Sequence, residues 1–492
     1  MPGKNQQAPL WTTREVALAT SGKHMRDAEI SGIAIDSREV APGDLFFALA
    51  GAESDGHRFV GQALQAGAAA AVVSGVLGGV EANDPRLIWV DDSLVALNDL
   101  AGAARQRMAG MVIAVTGSAG KTGVKEALYN ALSASATAPA LVHRSPRSFN
   151  NHVGVPVSLA RMPADTEFGI FEIGMNAPGE IGPLSRLVRP DVAMITNVGP
   201  AHAAAFANEE AIADAKAEIF EGLTAAGTAI LNLDNRHFQQ LSRAAKDAGV
   251  GQILSFAADN MGADVRPLRL AALATCSCMT ADIDGVSLTF KVGMPGDHWI
   301  INSLGVLAAV HAVGGDLSLA GMALSSMTGL AGRGEQFKVL TSRLAFTVID
   351  ESYNANPLSM KAAIGVLAGH WPATAQGRRV AVLGDMEELG EDTVVYHEAL
   401  AKDLKRAGVH VLLTLGPAMK ALARAVAGKI AIQTFDDIDQ LMAALVRGLH
   451  PGDLILVKGS NALGLGQVVE GLRALDEREE MDSGGKSPLV AA

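Results

Sequence analysis

Cysteine is almost absent from this chain, since its 492 residues contain only Cys276 and Cys278. The two lie two positions apart in a segment that we expect to form a strand, a spacing that strains a disulfide. Two thiols alone also cannot complete a closed zinc site, which takes four ligands. We therefore expect two reduced structural thiols, as is usual in the cytosol.

The chain also lacks long apolar runs and basic runs. Its most apolar stretch, residues 67–80, is rich in Ala and Gly and is shorter than the roughly 20 residues that a membrane span requires. Residues 1–13 are polar and lack the apolar core of a signal peptide. The net charge of −12, from 40 basic and 52 acidic residues, argues against nucleic acid as a partner. We predict a cytoplasmic, monomeric enzyme that acts on small molecules, with no membrane span and no nucleic acid partner.

The chain does contain a strand, a glycine-rich turn and a helix start in direct succession, at residues 112–132. Apolar residues predict the strand, and the helix is predicted to begin at Lys121. A phosphate-binding loop requires this context, although Val115 stands where the full G-x-x-x-x-G-K-[ST] pattern has glycine. Backbone N–H groups can close on phosphate oxygens, Lys121 supplies a positive charge, and the Thr122 hydroxyl can reach Mg²⁺. We therefore predict a nucleotide-binding loop, rather than a plain strand–helix turn, formed by Gly117, Ser118, Ala119, Gly120, Lys121 and Thr122.

Polar side chains follow two later strands, which are predicted at residues 169–173 and 191–197. Glu172 closes the first strand, and His202 comes shortly after the second. Because ligands of open α/β sheets bind beyond the carboxyl ends of strands, both side chains should lie near the phosphates. A lone glutamate at a strand end more often caps a helix or forms a salt bridge. A carboxylate and an imidazole beside a phosphate loop nevertheless suit a second Mg²⁺ or Mn²⁺.

Lys216 lies on the apolar stripe of a predicted helix, four residues after Ile212 and three before Ile219. A lysine on such a stripe must extend its head to water, be neutral, or be chemically modified. Extension to water is the usual outcome. The position downstream of the predicted metal residues keeps chemical modification open as well.

The length and the changes of pattern along the chain predict an α/β protein of three domains. Residues 1–109 form a small α/β domain without a phosphate loop, and residues 110–326 form a central domain with a mostly parallel sheet. In residues 327–492 strands and helices alternate, as in a doubly wound sheet. In the first domain, Ser37 and Arg38 stand at a predicted strand end and could hold a diphosphate. An ordinary turn with a surface salt bridge is the equally open alternative.

These motifs together resemble those of the Mur ligases of peptidoglycan synthesis. The resemblance spans nearly the whole chain and includes Asp36-Ser37-Arg38, the loop at 116–122, Asn150-Asn151, Asn197 with His202, Lys216, and Gly332-Arg333. Segments 350–357 and 384–390 are similar to the branch of the family that adds D-alanyl-D-alanine. Two segments depart from the family pattern: 145–148 lacks the glycine usual before the Asn pair, and 458–461 lacks the arginine that often follows.

The resemblance implies three domains: UDP-substrate-binding, ATP-binding and P-loop ATPase-like, and Rossmann-like ligase. It implies an ATP-dependent ligase that joins D-alanyl-D-alanine to UDP-N-acetylmuramoyl-tripeptide through an acyl phosphate. Lys216 would be carbamylated by CO₂ and would bind the second metal with Glu172 and His202, while Lys121 and Thr122–Mg²⁺ hold the transferring phosphate. The implied ATP contacts outside the loop are Asn302, Arg333, Asp350 and Tyr353. The implied substrate contacts are Ser37, Arg38, Asn150, Asn151, Asn356, Asp385 and Glu388.

Other interpretations remain open from the sequence. One is another amide ligase of the same superfamily, such as the diamino-acid-adding Mur enzyme or a folylpolyglutamate synthetase. Folate enzymes do not share the N-terminal domain with Asp-Ser-Arg, and segment 384–390 weighs against the diamino-acid branch. A catalytically idle nucleotide-binding or scaffold protein is the other, and intact Lys121, Glu172, His202 and Lys216 argue against it.

Overall fold

The computed structural model describes residues 9–51 and 54–483, with side chains through residue 476. The first eight residues of the polar N-terminus discussed above lie outside the described residues. In the described parts of the chain, no helix is both long and apolar enough to cross a membrane.

The N-terminal part, described from residue 9, is built on a small sheet. Its strands and helices are β1 (Trp11–Thr12), α1 (Thr13–Ala19), β2 (Lys23–His24), β3 (Glu29–Ile30), β4 (Gly32–Ala34), β5 (Asp44–Phe47), α2 (Val60–Gln65), β6 (Ala70–Val73), β7 (Leu87–Trp89) and α3 (Ser93–Arg107). Five strands form one sheet in the order β2-β7-β6-β5-β4, and β1 pairs with β3. In the five-stranded sheet only the β2–β7 pair is antiparallel, so the predicted small α/β unit is confirmed.

The central part carries the phosphate loop. Its elements are β8 (Met111–Thr116), α4 (Lys121–Ser135), β9 (Val142–Arg144), α5 (Gly154–Ala160), β10 (Phe168–Glu172), α6 (Ile181–Val188), β11 (Val192–Ile195), α7 (Glu209–Ala217), β12 (Thr228–Asn232), α8 (Phe238–Asp247), β13 (Gln252–Phe256), β14 (Val265–Ala272), β15 (Ser277–Ile283), β16 (Val286–Val292), α9 (Asp297–Ala312) and α10 (Leu317–Ser325). They form a nine-stranded sheet in the order β16-β15-β14-β13-β12-β11-β8-β10-β9. Pairing is parallel from β9 to β14 and antiparallel in the β14–β15–β16 meander.

Strand β8 is buried on both faces, which explains its continuous apolar sequence. Ile113 and Val115 pack into one hydrophobic cluster with α4, α9 and α10. Val112 and Ala114 pack into the other, with α5, α6 and α8. Side chains alternate between the two faces because a strand has a period of two. The phosphate loop therefore leaves the middle of a sheet that is covered on both sides.

The C-terminal part is the doubly wound domain that the alternating pattern predicts. Its elements are β17 (Glu335–Leu340), β18 (Ala345–Asp350), α11 (Pro357–Gly369), β19 (Arg379–Gly384), α12 (Thr393–Arg406), β20 (Val411–Leu415), α13 (Met419–Val426), β21 (Ala431–Phe435), α14 (Ile438–Arg447), β22 (Leu454–Lys458) and α15 (Gly466–Ser483). The sheet order is β17-β18-β22-β19-β20-β21, and only β17 is antiparallel to its neighbour. The predicted domain limits at residues 109 and 326 fall between α3 and β8 and between α10 and β17, and they stay predictions.

Helix α4 should be one of the elements on which the central domain depends. Leu128 is fully buried in the cluster between α4 and the sheet. We expect Leu128→Ala to lower the free energy of unfolding by about 3 kcal/mol, because the truncation leaves a cavity. Urea unfolding followed by circular dichroism measures the loss. Leu18→Ala is the matched control, because Leu18 is 76% exposed. Equal stability of the two variants would contradict this account of the core.

Candidate active site

The phosphate loop is held against the end of β11. The N–H of Ser118 donates to the Asn197 carbonyl, and the N–H of Ala119 donates to Asn197 Oδ1, each at 3.0 Å. Gly117 has a φ of +152°, and a Cβ there would lie 1.9 Å from Thr196 Oγ1. Only glycine fits between the loop and β11 at this point. The sequence prediction of a tight, glycine-dependent turn before α4 is confirmed.

The carboxylate of Glu172 is buried at the end of β10, with 1% of the residue exposed. Thr122 Oγ1 donates to Glu172 Oε2 at 2.8 Å, and Asn150 Nδ2 donates to Glu172 Oε1 at 2.7 Å. Because a buried carboxylate needs donors, these bonds fix its orientation towards the start of α4. The structure thus brings together three residues that are predicted for the site from separate segments.

Lys121, the first residue of α4, belongs to the same site and is itself a half-buried cation. Its Nζ donates to the Gly117 carbonyl at 2.7 Å. Burial lowers the pKa of Lys121, the Glu172 carboxylate opposes that shift, and the Arg333 guanidinium adds to it. The ammonium is therefore in a site where a further anion would be strongly favoured.

Lys216 does not extend its head to water. It lies on α7 with only 2% of the residue exposed. Burial, followed by the nearby charge of Lys121, lowers the pKa of Lys216 well below its ordinary value. Within residues 9–51 and 54–476, its amine has no hydrogen-bond or ion-pair partner. Of the alternatives that the sequence leaves open, a neutral or modified amine fits this environment, because a buried unpaired ammonium is costly.

His202 lies between the central and C-terminal parts. Its backbone is left-handed, with a φ of +56°. Its Nδ1 is hydrogen-bonded to Glu388 Oε2, and the N–H of Ala204 donates to the Glu388 carbonyl at 3.0 Å. Burial lowers the pKa of His202, Glu388 opposes the shift, and the charges of Lys121 and Lys216 add to it. The imidazole is thus within the electrostatic reach of both lysines.

The C-terminal part closes the other side of the site. Asp350 Oδ2 accepts a hydrogen bond from the N–H of Gly332 at 2.7 Å, which shapes the loop that carries Arg333. The Arg333 guanidinium lies 3.9 Å from the ring centre of Tyr353. Asn356 Nδ2 donates to the Ser118 carbonyl at 2.9 Å, so the phosphate loop is contacted directly from the C-terminal part.

A cavity of about 1150 Å³ lies between these parts. The predicted site residues that line it are Ser118, Ala119, Gly120, Lys121, Thr122, Asn150, Asn151, Glu172, His202, Asn302, Arg333, Tyr353 and Asn356. Such a volume is ample for a nucleotide and part of a second substrate. The structure places the other predicted site residues outside the lining of this cavity, namely Ser37, Arg38, Gly117, Lys216, Asp350, Asp385 and Glu388.

Arg38 and Asp385, two of the outlying residues, have partners within their own parts of the protein. Arg38 Nη2 lies 2.6 Å from Asp36 Oδ2 and lowers the pKa of Asp36 to about 2, so the salt-bridge alternative is what this structure contains. Asp385 accepts hydrogen bonds at both oxygens from the N–H groups of Ala418 and Met419, at 3.0 and 2.7 Å. Asp385 thus shapes the start of α13. Substrate contacts of Ser37, Arg38 and Asp385 stay predictions.

Several residues of the site have no individual role assigned from the sequence. Lys458 is 2% exposed at the end of β22 and lines the cavity. Its Nζ donates to the Asn354 carbonyl at 2.8 Å and lies 3.6 Å from Glu351 Oε2. Burial raises the pKa of Glu351 and lowers that of Lys458, and each charge opposes the shift of the other. The only sequence signal was their position after predicted strands.

The donor set near the phosphate loop suits Mg²⁺, because it offers a hydroxyl, a carboxylate and an imidazole. Across the described residues, no group of three His, Cys, Asp or Glu side chains gathers to hold a metal ion. Glu172 and His202 therefore need a further ligand. The buried, partnerless amine of Lys216 would supply one if it carried a carboxylate, so the residues present fit the group that the resemblance implies.

Family models match three successive regions of the chain. These are "Mur ligase family, catalytic domain" over residues 29–105, "Mur ligase middle domain" over 115–310, and "Mur ligase, glutamate ligase domain" over 335–461. A UDP-N-acetylmuramoyl-tripeptide–D-alanyl-D-alanine ligase of Synechocystis is 35% identical over 452 residues, which is 91% of this chain and 93% of the relative. This chain belongs to the Mur ligase family.

Solved structures agree with this assignment. MurF from Acinetobacter baumannii matches this Mur ligase with a TM-score of 0.80 and 29% identity, covering 94% of this chain and 99% of that one. MurF from Thermotoga maritima in complex with ADP matches with a TM-score of 0.74 and 26% identity, covering 91% and 98%. A folylpolyglutamate synthase of Mycobacterium tuberculosis matches at 16% identity over 77% of this chain and 94% of that one, with a TM-score of 0.57, which shows the shared fold alone.

The close contact at Gly117 generates a test of the phosphate loop of this Mur ligase. Gly117→Ala places a methyl group against Thr196 Oγ1, so the loop must shift. We expect at least about a tenfold loss of ATP affinity, which isothermal titration calorimetry measures. The added substitution Thr196→Ala removes the hydroxyl and should restore part of the affinity. Unchanged ATP binding in Gly117→Ala would show that the loop does not hold the nucleotide in this form.

Proposed function

We propose that this Mur ligase joins D-alanyl-D-alanine to UDP-N-acetylmuramoyl-tripeptide and converts ATP to ADP and phosphate. The terminal carboxylate of the tripeptide attacks the γ-phosphate of ATP, which forms an acyl phosphate and releases ADP. The amine of D-alanyl-D-alanine then attacks the acyl carbon and displaces phosphate, which leaves an amide and the pentapeptide precursor. The observation that carries the proposal is the cavity where Lys121, Glu172 and Arg333 meet.

The first step asks for alignment and charge neutralisation rather than covalent catalysis. Backbone N–H groups at the start of α4 would donate to phosphate oxygens of ATP, and Lys121 would balance the negative charge of the γ-phosphate. Arg333, whose guanidinium lies over the Tyr353 ring, would contact the same phosphates from the C-terminal side. The buried Glu172 and Thr122 would hold Mg²⁺, which neutralises charge on the transferring phosphoryl group when bound.

Lys216 is proposed to carry a carbamate formed with CO₂. Its neutral amine attacks the carbon of CO₂ and loses a proton, and the product is a carboxylate on a long arm. Burial next to Lys121 supports the neutral amine that this reaction needs. The carbamate, Glu172 and His202 would be the ligands of the second metal ion.

The C-terminal part is proposed to bring the dipeptide to the acyl phosphate. Asn356 touches the phosphate loop, and Glu388 touches His202, so the two segments that resemble the D-alanyl-D-alanine branch both reach the central part. The relatives named UDP-N-acetylmuramoyl-tripeptide–D-alanyl-D-alanine ligases support the same acceptor. A cytoplasmic location and a monomeric state are proposed with this function.

The acceptor should be a dipeptide rather than a single amino acid. In assays of phosphate release with ATP and UDP-N-acetylmuramoyl-tripeptide, we expect D-alanyl-D-alanine to support turnover. Single D- and L-amino acids and glutamate should not, because they lack the second residue that the 353–356 segment is proposed to contact. Turnover with L-lysine or meso-diaminopimelate on the dipeptide-stage substrate, without turnover on D-alanyl-D-alanine, would assign the chain to another branch.

Lys216→Ala should lose nearly all activity if the carbamate holds the second metal ion. Small carboxylates such as formate or acetate should then restore part of the phosphate release, because they can occupy the position of the lost carbamate. Rescue should require Mg²⁺ and should fail for Lys121→Ala, which removes a different function. Lys216→Arg is the matched control for charge, since it remains cationic and does not form a carbamate. Full activity of Lys216→Ala would leave this lysine a packing role only.

A further inference from the structure

The loop at residues 145–151 contains a strained residue. Arg147 has a φ of +47°, in the left-handed region that is unfavourable for residues with a Cβ. This is the segment that lacks the glycine usual in the family. A strained non-glycine residue beside an active site points to a use for its side chain.

A buried lysine fixes the backbone of this loop. Lys125 is fully buried, and its Nζ donates to the Ser145 carbonyl at 2.9 Å and to the Arg147 carbonyl. The ammonium also lies 3.1 Å from Glu126 Oε1. Because a buried ammonium needs its acceptors, these hydrogen bonds hold the backbone of Arg147 in place.

The side chain of Arg147 contacts the N-terminal part of the protein. Arg147 Nη1 lies 3.1 Å from Glu39 Oε1, and the two side chains are 77% and 49% exposed. An exposed ion pair of this kind contributes little, so the guanidinium can exchange Glu39 for a better anion. Glu39 follows Arg38 directly, in the segment proposed to hold the uridine diphosphate.

The residue after Arg147 faces the opposite end of the site. Ser148 Oγ lies 3.4 Å from Thr122 Oγ1 and accepts a hydrogen bond from Arg333 Nη2 at 3.1 Å. Arg147 therefore stands between the proposed uridine diphosphate segment and the proposed phosphate-transfer site. A substrate that reaches from one to the other passes this guanidinium.

We propose that Arg147 exchanges Glu39 for an oxyanion of the uridine-linked substrate. The inference rests on the proposed function, since that substrate carries both a diphosphate and peptide carboxylates. A guanidinium matches either group with two parallel hydrogen bonds. The protein has a net charge of −12, so a polyanionic substrate depends on local cations of this kind.

Calorimetric titration of the full-length protein with UDP-N-acetylmuramoyl-tripeptide tests the proposal. We expect Arg147→Ala and Arg147→Gly to bind this substrate about tenfold more weakly, or worse, because both lose the guanidinium. The Gly variant should have the higher Tm of the two, because it also relieves the φ strain. Arg147→Lys keeps the charge without the planar fork and should lose less affinity.

Two further measurements identify the anion and its competitor. Parallel weakening of UDP binding would assign the diphosphate to Arg147, and weakening of the tripeptide substrate alone would assign a peptide carboxylate. Glu39→Gln should tighten binding because it frees the guanidinium. Arg186→Ala removes another exposed arginine, paired with Glu221 outside the cavity, and should leave binding unchanged.

The outcomes separate this inference from the proposed function. Wild-type binding of the tripeptide substrate together with wild-type affinity in both Arg147→Ala and Arg147→Gly would overturn the role of Arg147 alone. Failure of the wild-type protein to bind that substrate, with and without ADP, would overturn the proposed function, and this inference with it.

Discussion

The hydrogen bonds to the buried carboxylate of Glu172 are the interaction on which the rest of the site depends. A carboxylate with 1% of its residue exposed is stable only if donors reach both oxygens, and Thr122 and Asn150 are those donors. Thr122 is the second residue of α4, Glu172 ends β10, and Asn150 follows β9. The parallel order β9-β10-β8 brings all three to one edge of the sheet. The chemistry thus follows from the topology of the central domain.

Several contacts between the central and C-terminal parts at the cavity are polar. Asn356 meets the Ser118 carbonyl, Arg333 meets Ser148, and Glu388 meets His202. Polar contacts of this size exchange readily for substrate groups, unlike a packed apolar interface. The connection before β17 contains Gly332 and Gly334, with φ of +74° and +86°. A few such residues are enough for the C-terminal part to move relative to the phosphate loop.

The features of the fold that depend on a local sequence pattern could be predicted from the sequence. Helix α4 begins at Lys121 as predicted, because the glycine turn and the apolar spacing after it determine this boundary. The antiparallel strands β14–β16 were largely missed, because exposed hairpins lack a strong apolar signal. Of the two cysteines expected in a strand, Cys278 lies in β15 and Cys276 precedes that strand. The composition of the last fifteen or so residues predicts a loose tail. Helix α15 nevertheless continues to Ser483, and residues 484–492 lie outside the described residues.

Long-range partners were the unpredictable part of the site. The sequence placed Lys216 on an apolar stripe, but only the packing of α7 decides that its head stays inside rather than reaching water. Asp385 lies in segment 384–390, which resembles the family pattern, yet its carboxylate accepts hydrogen bonds from backbone N–H groups at the start of α13. Lys125 directly follows Val124, which lies on the apolar face of α4. The carbonyls that accept hydrogen bonds from Lys125 are twenty or more positions away in the chain. Spacing along one element carries no information about such partners.

The cations that line the cavity, Lys121, Arg333 and Lys458, act on one another electrostatically. Burial lowers the pKa of Lys121 and of Lys458, and the charge of the Arg333 guanidinium adds to the shift in both cases. Like charges gathered in a partly buried cavity repel one another, and the cost falls when anions enter. A ligand with phosphates would raise these pKa values again, because it supplies the opposite charge. A protein with a net charge of −12 can therefore attract polyanions, since the relevant field is that of the cavity and not of the whole surface.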